Sequence, residues 1–172
     1  EWFENVTAAV ETAAFCDMRP WAYDENGWPS GFGSGLVNGL GVEYQQKYLR
    51  CKETEIAENT DTTITNIEYE GKNLHFYYDI NPFYVDTLDD EVTREFLKST
   101  HEQYLEKMGK DFNKMKGFFT DEPQVSRKGF PWSLDLEAEY ESSFGEDIKT
   151  LLPALFFDFE GCKEVRYNYW TI

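Results

Sequence analysis

The sequence has few positive charges. Its 172 residues include sixteen Lys and Arg against thirty-three Asp and Glu, which gives a formal net charge of −17 at pH 7. Such a chain repels the phosphates of nucleic acids and of anionic lipid headgroups. Its one local basic cluster, Arg127 with Lys128, is too small for a phosphate site. We therefore expect no nucleic-acid and no membrane partner, while neutral substrates, cationic ligands and metal ions remain compatible with this charge.

Cysteine and histidine are also scarce. The cysteines Cys16, Cys51 and Cys162 are widely spaced without a CxxC pattern, and the histidines His75 and His101 form no HExxH motif. These spacings indicate neither a disulfide framework nor a zinc site. We expect both histidines to be structural, no resident cofactor, and a reduced, cytoplasmic setting.

Long apolar runs and nucleotide-binding motifs are missing as well. No apolar run approaches the ~18 residues of a membrane span, and no signal-peptide pattern opens the chain. The chain begins EWFENVTAAVETA, without Met and already in a helical pattern, so earlier removal of a leader, and hence secretion, stays open. The glycines of PSGFGSGLVNGLG follow GxGxG rather than GxGxxG spacing, which argues against a dinucleotide site.

What the sequence does contain is a repeated order of helix and short strand. Apolar residues recur at helical spacing over about 2–15 and 91–108, and each run leads into a short apolar strand, WAYDE or GFFTDEP. Between the two units, at about 42–80, frequent Tyr, Thr and Ile predict an inserted antiparallel β segment. We predict a single α/β domain over residues 1–172, which is shorter than the ~250 residues of a complete (β/α)8 barrel.

Both short strands end in an acidic pair, Asp24 with Glu25 and Asp121 with Glu122. Because the carboxyl ends of parallel strands meet at one edge of a sheet, we expect the four carboxylates to lie close together. A protonated carboxylic acid beside a second carboxylate is the pair that hydrolyses a glycosidic bond. Calcium at this edge is a minor hypothesis, because no DxDxDG loop is present. The alternative is that acidic residues are common in the turns of so acidic a chain.

Aromatic residues flank both acidic pairs. Aromatic rings bind the C–H faces of sugars and exclude water around an acid. We expect Trp28 and Trp132, each next to a proline or in a loop, to lie on the substrate side. Core packing is the alternative for all of these rings, and it is the favoured interpretation for Trp21.

Three stretches together carry a family resemblance: WAYDENGWPSGFGSGLV, STHEQYLEKMGKDFNKMKGFFTDEP and GFPWSLDLEAEYESSFGEDIKTLLPALF. They resemble bacterial alpha-L-rhamnosidase-like glycoside hydrolases related to glycoside hydrolase family 106, which carry a YDExxWPSG segment, a THExY helix and an FxDEP strand in a TIM-type barrel. The resemblance implies a partial TIM-type (β/α) barrel, with the β segment inserted, that cleaves glycosidic bonds in plant or microbial glycans.

The resemblance also implies roles for single residues. Asp121 and Glu122 match the FxDEP strand and are the catalytic candidates, with Glu122 as the general acid. Tyr23, Asp24 and Glu25 match the first motif and are substrate-binding candidates. The alternatives are a non-catalytic carbohydrate-binding module and a structural fragment of a larger glycosidase. A partial barrel would also leave an open sheet edge, through which we expect self-association.

Overall fold

The computed structural model describes all residues from 1 to 172. They divide into two compact units. The first contains Glu1–Gln45 and Pro82–Val125, and the second contains Gln46–Asn81 and Ser126–Ile172.

The helices and strands follow one another along the chain as α1 (Trp2–Phe15), β1 (Ala22–Tyr23), β2 (Gln45–Thr54), β3 (Thr63–Tyr69), β4 (Lys72–Val85), α2 (Asp90–Ser99), α3 (His101–Met108), β5 (Phe118–Phe119), β6 (Phe130–Trp132), α4 (Leu136–Phe144), α5 (Ile148–Leu151), α6 (Pro153–Phe156) and α7 (Cys162–Tyr169). Short 3-10 turns lie at Gly33–Gly35, Val42–Tyr44 and Gly109–Lys114. No helix is both long enough and apolar enough to cross a membrane.

The first unit contains the parallel pair that the sequence predicts. Strand β1 pairs with β5, with Ala22 opposite Phe118 and Tyr23 opposite Phe119. The two acidic pairs therefore follow neighbouring parallel strands, as expected. The pair contains only these two strands, and neither it nor the other sheet of the structure closes into a barrel.

Helices cover this pair with a small apolar core. Val10 of α1 is buried with Met108 and Met115, and partly buried aromatic side chains pack around them. The helix predicted over 91–108 is interrupted, because Thr100 has φ −111° and ψ −78° between α2 and α3. The Thr100 hydroxyl donates to the carbonyl of Phe96, and such local side-chain bonds compete with regular helical hydrogen bonding.

The second unit is built on a four-stranded sheet in the order β3-β4-β2-β6. Strands β3 and β4 are antiparallel with Ile67 opposite Leu74, and β2 and β6 are antiparallel with Tyr48 opposite Pro131. Strands β2 to β4 fall in the segment predicted as antiparallel β, whereas β6 comes from the chain after the second acidic pair. Its core cluster contains Leu49, Leu74, Phe76, Trp132, Leu136, Tyr140, Ile148, Leu152, Leu155 and Tyr169.

Candidate functional site

Asp24 is the centre of the candidate site in the first unit. It follows β1, and its backbone N–H donates to the carbonyl of Phe119 at 3.3 Å. The side chain is buried, and each carboxylate oxygen accepts a hydroxyl hydrogen bond. Oδ1 accepts from Ser30 at 2.6 Å, and Oδ2 accepts from Thr120 at 2.6 Å. Burial of this carboxylate is thus accompanied by direct hydrogen-bond donors, as a buried charge requires.

Ser30 connects the two acidic motifs. Its Oγ donates to Asp24 and at the same time accepts from the backbone N–H of Asp121 at 2.9 Å. The Ser30 backbone N–H donates in turn to the Asp121 carbonyl at 2.9 Å. The backbone of the second acidic pair is therefore fixed beside the carboxylate of the first.

Glu25 anchors the loop that follows β1. Its Oε2 accepts from the backbone N–H of Gly33 at 2.5 Å and of Gly31 at 3.3 Å, and its Oε1 accepts from Asn26 N–H at 2.9 Å. Gly31 has φ +131°, and a side chain there would run into the ring of Tyr84. The glycine-rich stretch is thus explained by a tight loop that closes on Glu25.

His101 is a further polar group at this site. Its Nε2 lies 3.7 Å from Asp24 Oδ2, and its Nδ1 lies 2.8 Å from the Thr100 hydroxyl oxygen. The ring is held against Phe118, with centroids 4.4 Å apart. Burial lowers the pKa of His101, and the negative charge of Asp24 opposes this effect only in part.

The residues predicted as catalytic are more exposed than Asp24. Asp121 is half-buried and Glu122 is exposed. Glu122 has φ +43°, in the left-handed region that non-glycine residues seldom occupy. Tyr23 lies close enough to Asp121 that the Asp121 charge, second to burial, raises the pKa of its hydroxyl. The Tyr23 hydroxyl donates to the Gly27 carbonyl at 2.6 Å.

Asp24 lines two cavities in the first unit. The large cavity, about 720 Å³, is lined by Trp2, Phe3, Tyr23, Asp24, Glu25, Asn26, Gly33, Ser34, Leu36, Val37, Leu40, Glu95, Ser99, Thr100, Gln103 and Tyr104. The small cavity, about 310 Å³, is lined by Asp24, Ser30, Gly31, Val85, Thr87, Thr93, Phe96, Leu97, His101, Thr120 and Pro123. Both volumes lie in the range of small-molecule sites.

The tryptophans do not follow the predicted division between ligand and core. Trp132 is only 2 % exposed and belongs to the core cluster of the second unit, so its ring face packs against other side chains instead of a sugar. Trp21, for which core packing was favoured, is 62 % exposed, and Trp28 is 55 % exposed. Position next to proline or in a loop did not distinguish these cases, because burial depends on tertiary packing.

Three residues of the site were not predicted from the sequence to have a functional role. Ser30 and Thr120 lie inside the quoted motifs WPSG and FTDEP, and His101 opens α3 in THEQY. His101 was expected to be structural, but it lines the small cavity and could therefore also contact a ligand. Thr120 directly precedes its acidic pair, which was an available signal, whereas Ser30 lies five residues after Glu25 and had no such signal.

No group of three or more His, Cys, Asp or Glu side chains is arranged so that it could hold a metal ion. Asp24 and His101 form only a pair, and Glu25 is directed to backbone N–H groups. The minor hypothesis of a calcium site therefore gains no support from the placement of these residues.

The chain was compared with protein families, curated proteins and solved structures. No family model matches the chain, and neither a curated protein nor a solved structure matches it. Its function is therefore inferred from the residues of the site.

Proposed function

We propose that the chain is a glycoside-hydrolase-like domain, derived from a TIM-type barrel, that hydrolyses glycosidic bonds in plant or microbial glycans. The observation that carries the proposal is that Asp24 and Asp121 are held together by Ser30 at the carboxyl end of two parallel strands. Glycosidases require two carboxyl groups close to one bond, and this end of a parallel sheet is where such groups are placed.

Glu122 is the proposed proton donor. Its exposed side chain is the carboxyl group of the two acidic pairs best placed to reach a large substrate, whereas Asp24 and Glu25 are buried. Its left-handed backbone costs about 1–3 kcal/mol for a non-glycine residue, so Gly would be less strained at this position. A Glu rather than a Gly in this strained turn is consistent with a role for its side chain in function.

The other carboxylates have supporting roles in this proposal. Asp24 accepts from two hydroxyl groups, and Glu25 accepts from three backbone N–H groups of its own loop. Side chains bound in this way fix the backbone of the acidic rim, which we define as Asp24, Glu25, Asp121 and Glu122. They leave Asp121 as the partner carboxylate for Glu122.

The large cavity has the composition expected of a saccharide site. Aromatic rings of Trp2, Tyr23 and Tyr104 share its wall with the polar groups of Asn26 and Gln103. Apolar ring faces with a few directed polar groups are the usual lining of a sugar subsite. We propose that the glycan lies here, with its scissile bond toward the acidic rim.

The test compares Glu122→Gln with wild type on aryl glycosides. The chromogenic panel includes 4-nitrophenyl α-L-rhamnopyranoside and the corresponding glucosides and galactosides. For any sugar that is cleaved, the unsubstituted phenyl glycoside and the 2,4-dinitrophenyl glycoside are then compared. Loss of a general acid lowers kcat by about 10²–10⁴-fold. We expect this loss on the phenyl glycoside and a much smaller loss on the dinitrophenyl glycoside, whose leaving group needs no proton.

Glu139→Gln is the matched control, because Glu139 is also exposed and lies in the second unit on α4. It should leave both rates unchanged. Equal loss on both leaving groups would contradict the acid role of Glu122.

The alternative is a non-catalytic carbohydrate-binding domain. The observation that favours it is that Asp24 and Glu25 are engaged by hydrogen bonds within the chain. If wild-type protein binds oligosaccharides in calorimetry but cleaves no member of the panel, the binding-domain proposal replaces the hydrolase proposal. Folded protein with neither binding nor cleavage would refute both.

A further inference from the structure

The small cavity presents two neighbouring hydrogen-bond acceptors. The first is Oδ2 of Asp24, which accepts from Thr120 and, like any carboxylate oxygen, can accept more than one hydrogen bond. The second is Nε2 of His101, 3.7 Å from that oxygen. Such a separation exceeds the range of a direct hydrogen bond.

The hydrogen bonds at Thr100 favour one tautomer of His101. The Thr100 hydroxyl donates to the carbonyl of Phe96, so its oxygen is left to accept from its other neighbour. That neighbour is Nδ1 of His101 at 2.8 Å. A neutral imidazole that donates through Nδ1–H carries its lone pair on Nε2. In this tautomer Nε2 faces Asp24 Oδ2 as an acceptor.

Two acceptors in this arrangement can both take donors from a ligand. The burial that lowers the pKa of His101 favours the neutral ring near neutral pH, which leaves the lone pair on Nε2 of this tautomer available. Adjacent hydroxyl groups on a sugar ring donate side by side, which suits two acceptors this close together.

The remaining wall of the small cavity suits the ring of such a ligand. Val85, Phe96, Leu97 and Pro123 supply an apolar surface, and a volume of about 310 Å³ is at the lower limit for small-molecule sites. Apolar contact to C–H groups together with a few directed acceptors is the chemistry that recognises a single sugar residue.

We propose that the small cavity is a monosaccharide subsite, in which His101 Nε2 and Asp24 Oδ2 each accept one hydroxyl of a vicinal diol. This inference deepens the proposed function and rests on it for the class of ligand. His101 is in this view a binding residue that selects sugars with two adjacent hydroxyl groups in the correct orientation.

The test uses nitrogen-15 NMR of the histidine rings in the intact chain. The sequence contains only two histidines, and the ring of His101 is identified by its proximity to Phe118, whereas that of His75 stacks on Tyr77. We expect neutral His101 to show Nδ1–H and an unprotonated Nε2. L-Rhamnose, D-glucose and D-galactose are then titrated, with cyclohexanol as a ring that carries a single hydroxyl. At least one sugar should shift the Nε2 resonance in the direction of an accepted hydrogen bond, and cyclohexanol should not.

Thr100→Val is the matched variant, because it removes the hydroxyl that fixes the tautomer and keeps the shape of the side chain. His101 should then favour the Nε2–H form, with its proton on the side of Asp24, and the sugar should bind about tenfold more weakly, the equivalent of one hydrogen bond. The proximity of the His101 ring to Phe118 reports whether the first unit of the variant is folded.

Two results would overturn the inference: an Nε2–H tautomer in the wild type, or a correct tautomer whose Nε2 responds to none of the sugars. A shift produced by methylammonium and by no sugar would also overturn it, in favour of a cation site. Sugar binding at Nε2 without cleavage of any aryl glycoside would refute the proposed hydrolysis and leave the subsite in place.

Discussion

Replacement of Ser30 by alanine tests whether the acidic rim is held together as the structure indicates. Ser30 is buried, and its hydroxyl is both a donor to Asp24 and an acceptor for the N–H of Asp121. The substitution removes one atom and leaves both partners in place. A buried carboxylate loses one of its two hydroxyl donors, and a backbone N–H loses its acceptor.

The expected cost follows from these two lost bonds. A hydrogen bond to a charged group contributes about 1.5–3 kcal/mol, and an unsatisfied buried group costs about 1–3 kcal/mol. The two terms share one site and are not fully additive. We expect Ser30→Ala to lower the free energy of unfolding of the first unit by about 2–5 kcal/mol, which is large for the loss of one oxygen atom.

Urea unfolding followed by circular dichroism measures the loss, and amide hydrogen exchange at residue 121 localises it. Thr12→Ala is the control in the same unit, because the exposed Thr12 hydroxyl donates to the Ala8 carbonyl on the surface of α1. The free energy of unfolding of this control should stay within about 0.5 kcal/mol of the wild-type value. A Ser30→Ala variant that is equally stable, with unchanged exchange at Asp121, would refute the bridge and with it the meeting of the two acidic motifs.

Two further predictions concern other parts of the same unit. Because burial lowers the pKa of folded His101 below the value of about 6.5 in the unfolded chain, the unfolded state binds more protons between those two values, and stability falls as pH drops through this window. As the pH is lowered from 7.5 to 5.5, the Tm of His101→Gln should therefore rise relative to the Tm of wild type. A difference in Tm that stays constant over this range would contradict the direction of the pKa shift. Gly31→Ala should cost more than about 3 kcal/mol, because φ is +131° and the Tyr84 ring fills the space; Gly71→Ala, at φ +78° in open space, should cost about 1–2 kcal/mol in the same urea assay.

The parallel strand pair was predictable from the sequence because its signal is local. Each strand is a short apolar run after a helical pattern, and each ends in two acidic residues. The register that places Ala22 opposite Phe118 then brings the acidic pairs to one edge. The antiparallel segment was predictable for a similar reason, since β-branched and aromatic residues are frequent there.

The division into two units was not predictable in the same way. Strand β6 comes from beyond the second acidic pair, yet Trp132 lies opposite Lys47 of β2. Pairing between residues so distant in the sequence depends on tertiary packing, which periodicity does not report. The same limit applies to Trp132, whose burial depends on this pairing, and to the break at Thr100, where one side-chain hydroxyl ends α2.

Hydrogen-bond partners distinguish the acidic residues where sequence position could not. All four carboxylates follow apolar strands, so position alone makes them equivalent. In the structure Glu25 is directed to the backbone of its own loop, and Asp24 to two hydroxyl groups. A carboxylate fixed by such donors restricts the loops around a site before a ligand arrives, which reduces the ordering cost of binding. The remaining capacity for a ligand then lies with Asp24 Oδ2, His101 Nε2 and the exposed Glu122, and the tests of binding and of proton donation address these groups separately.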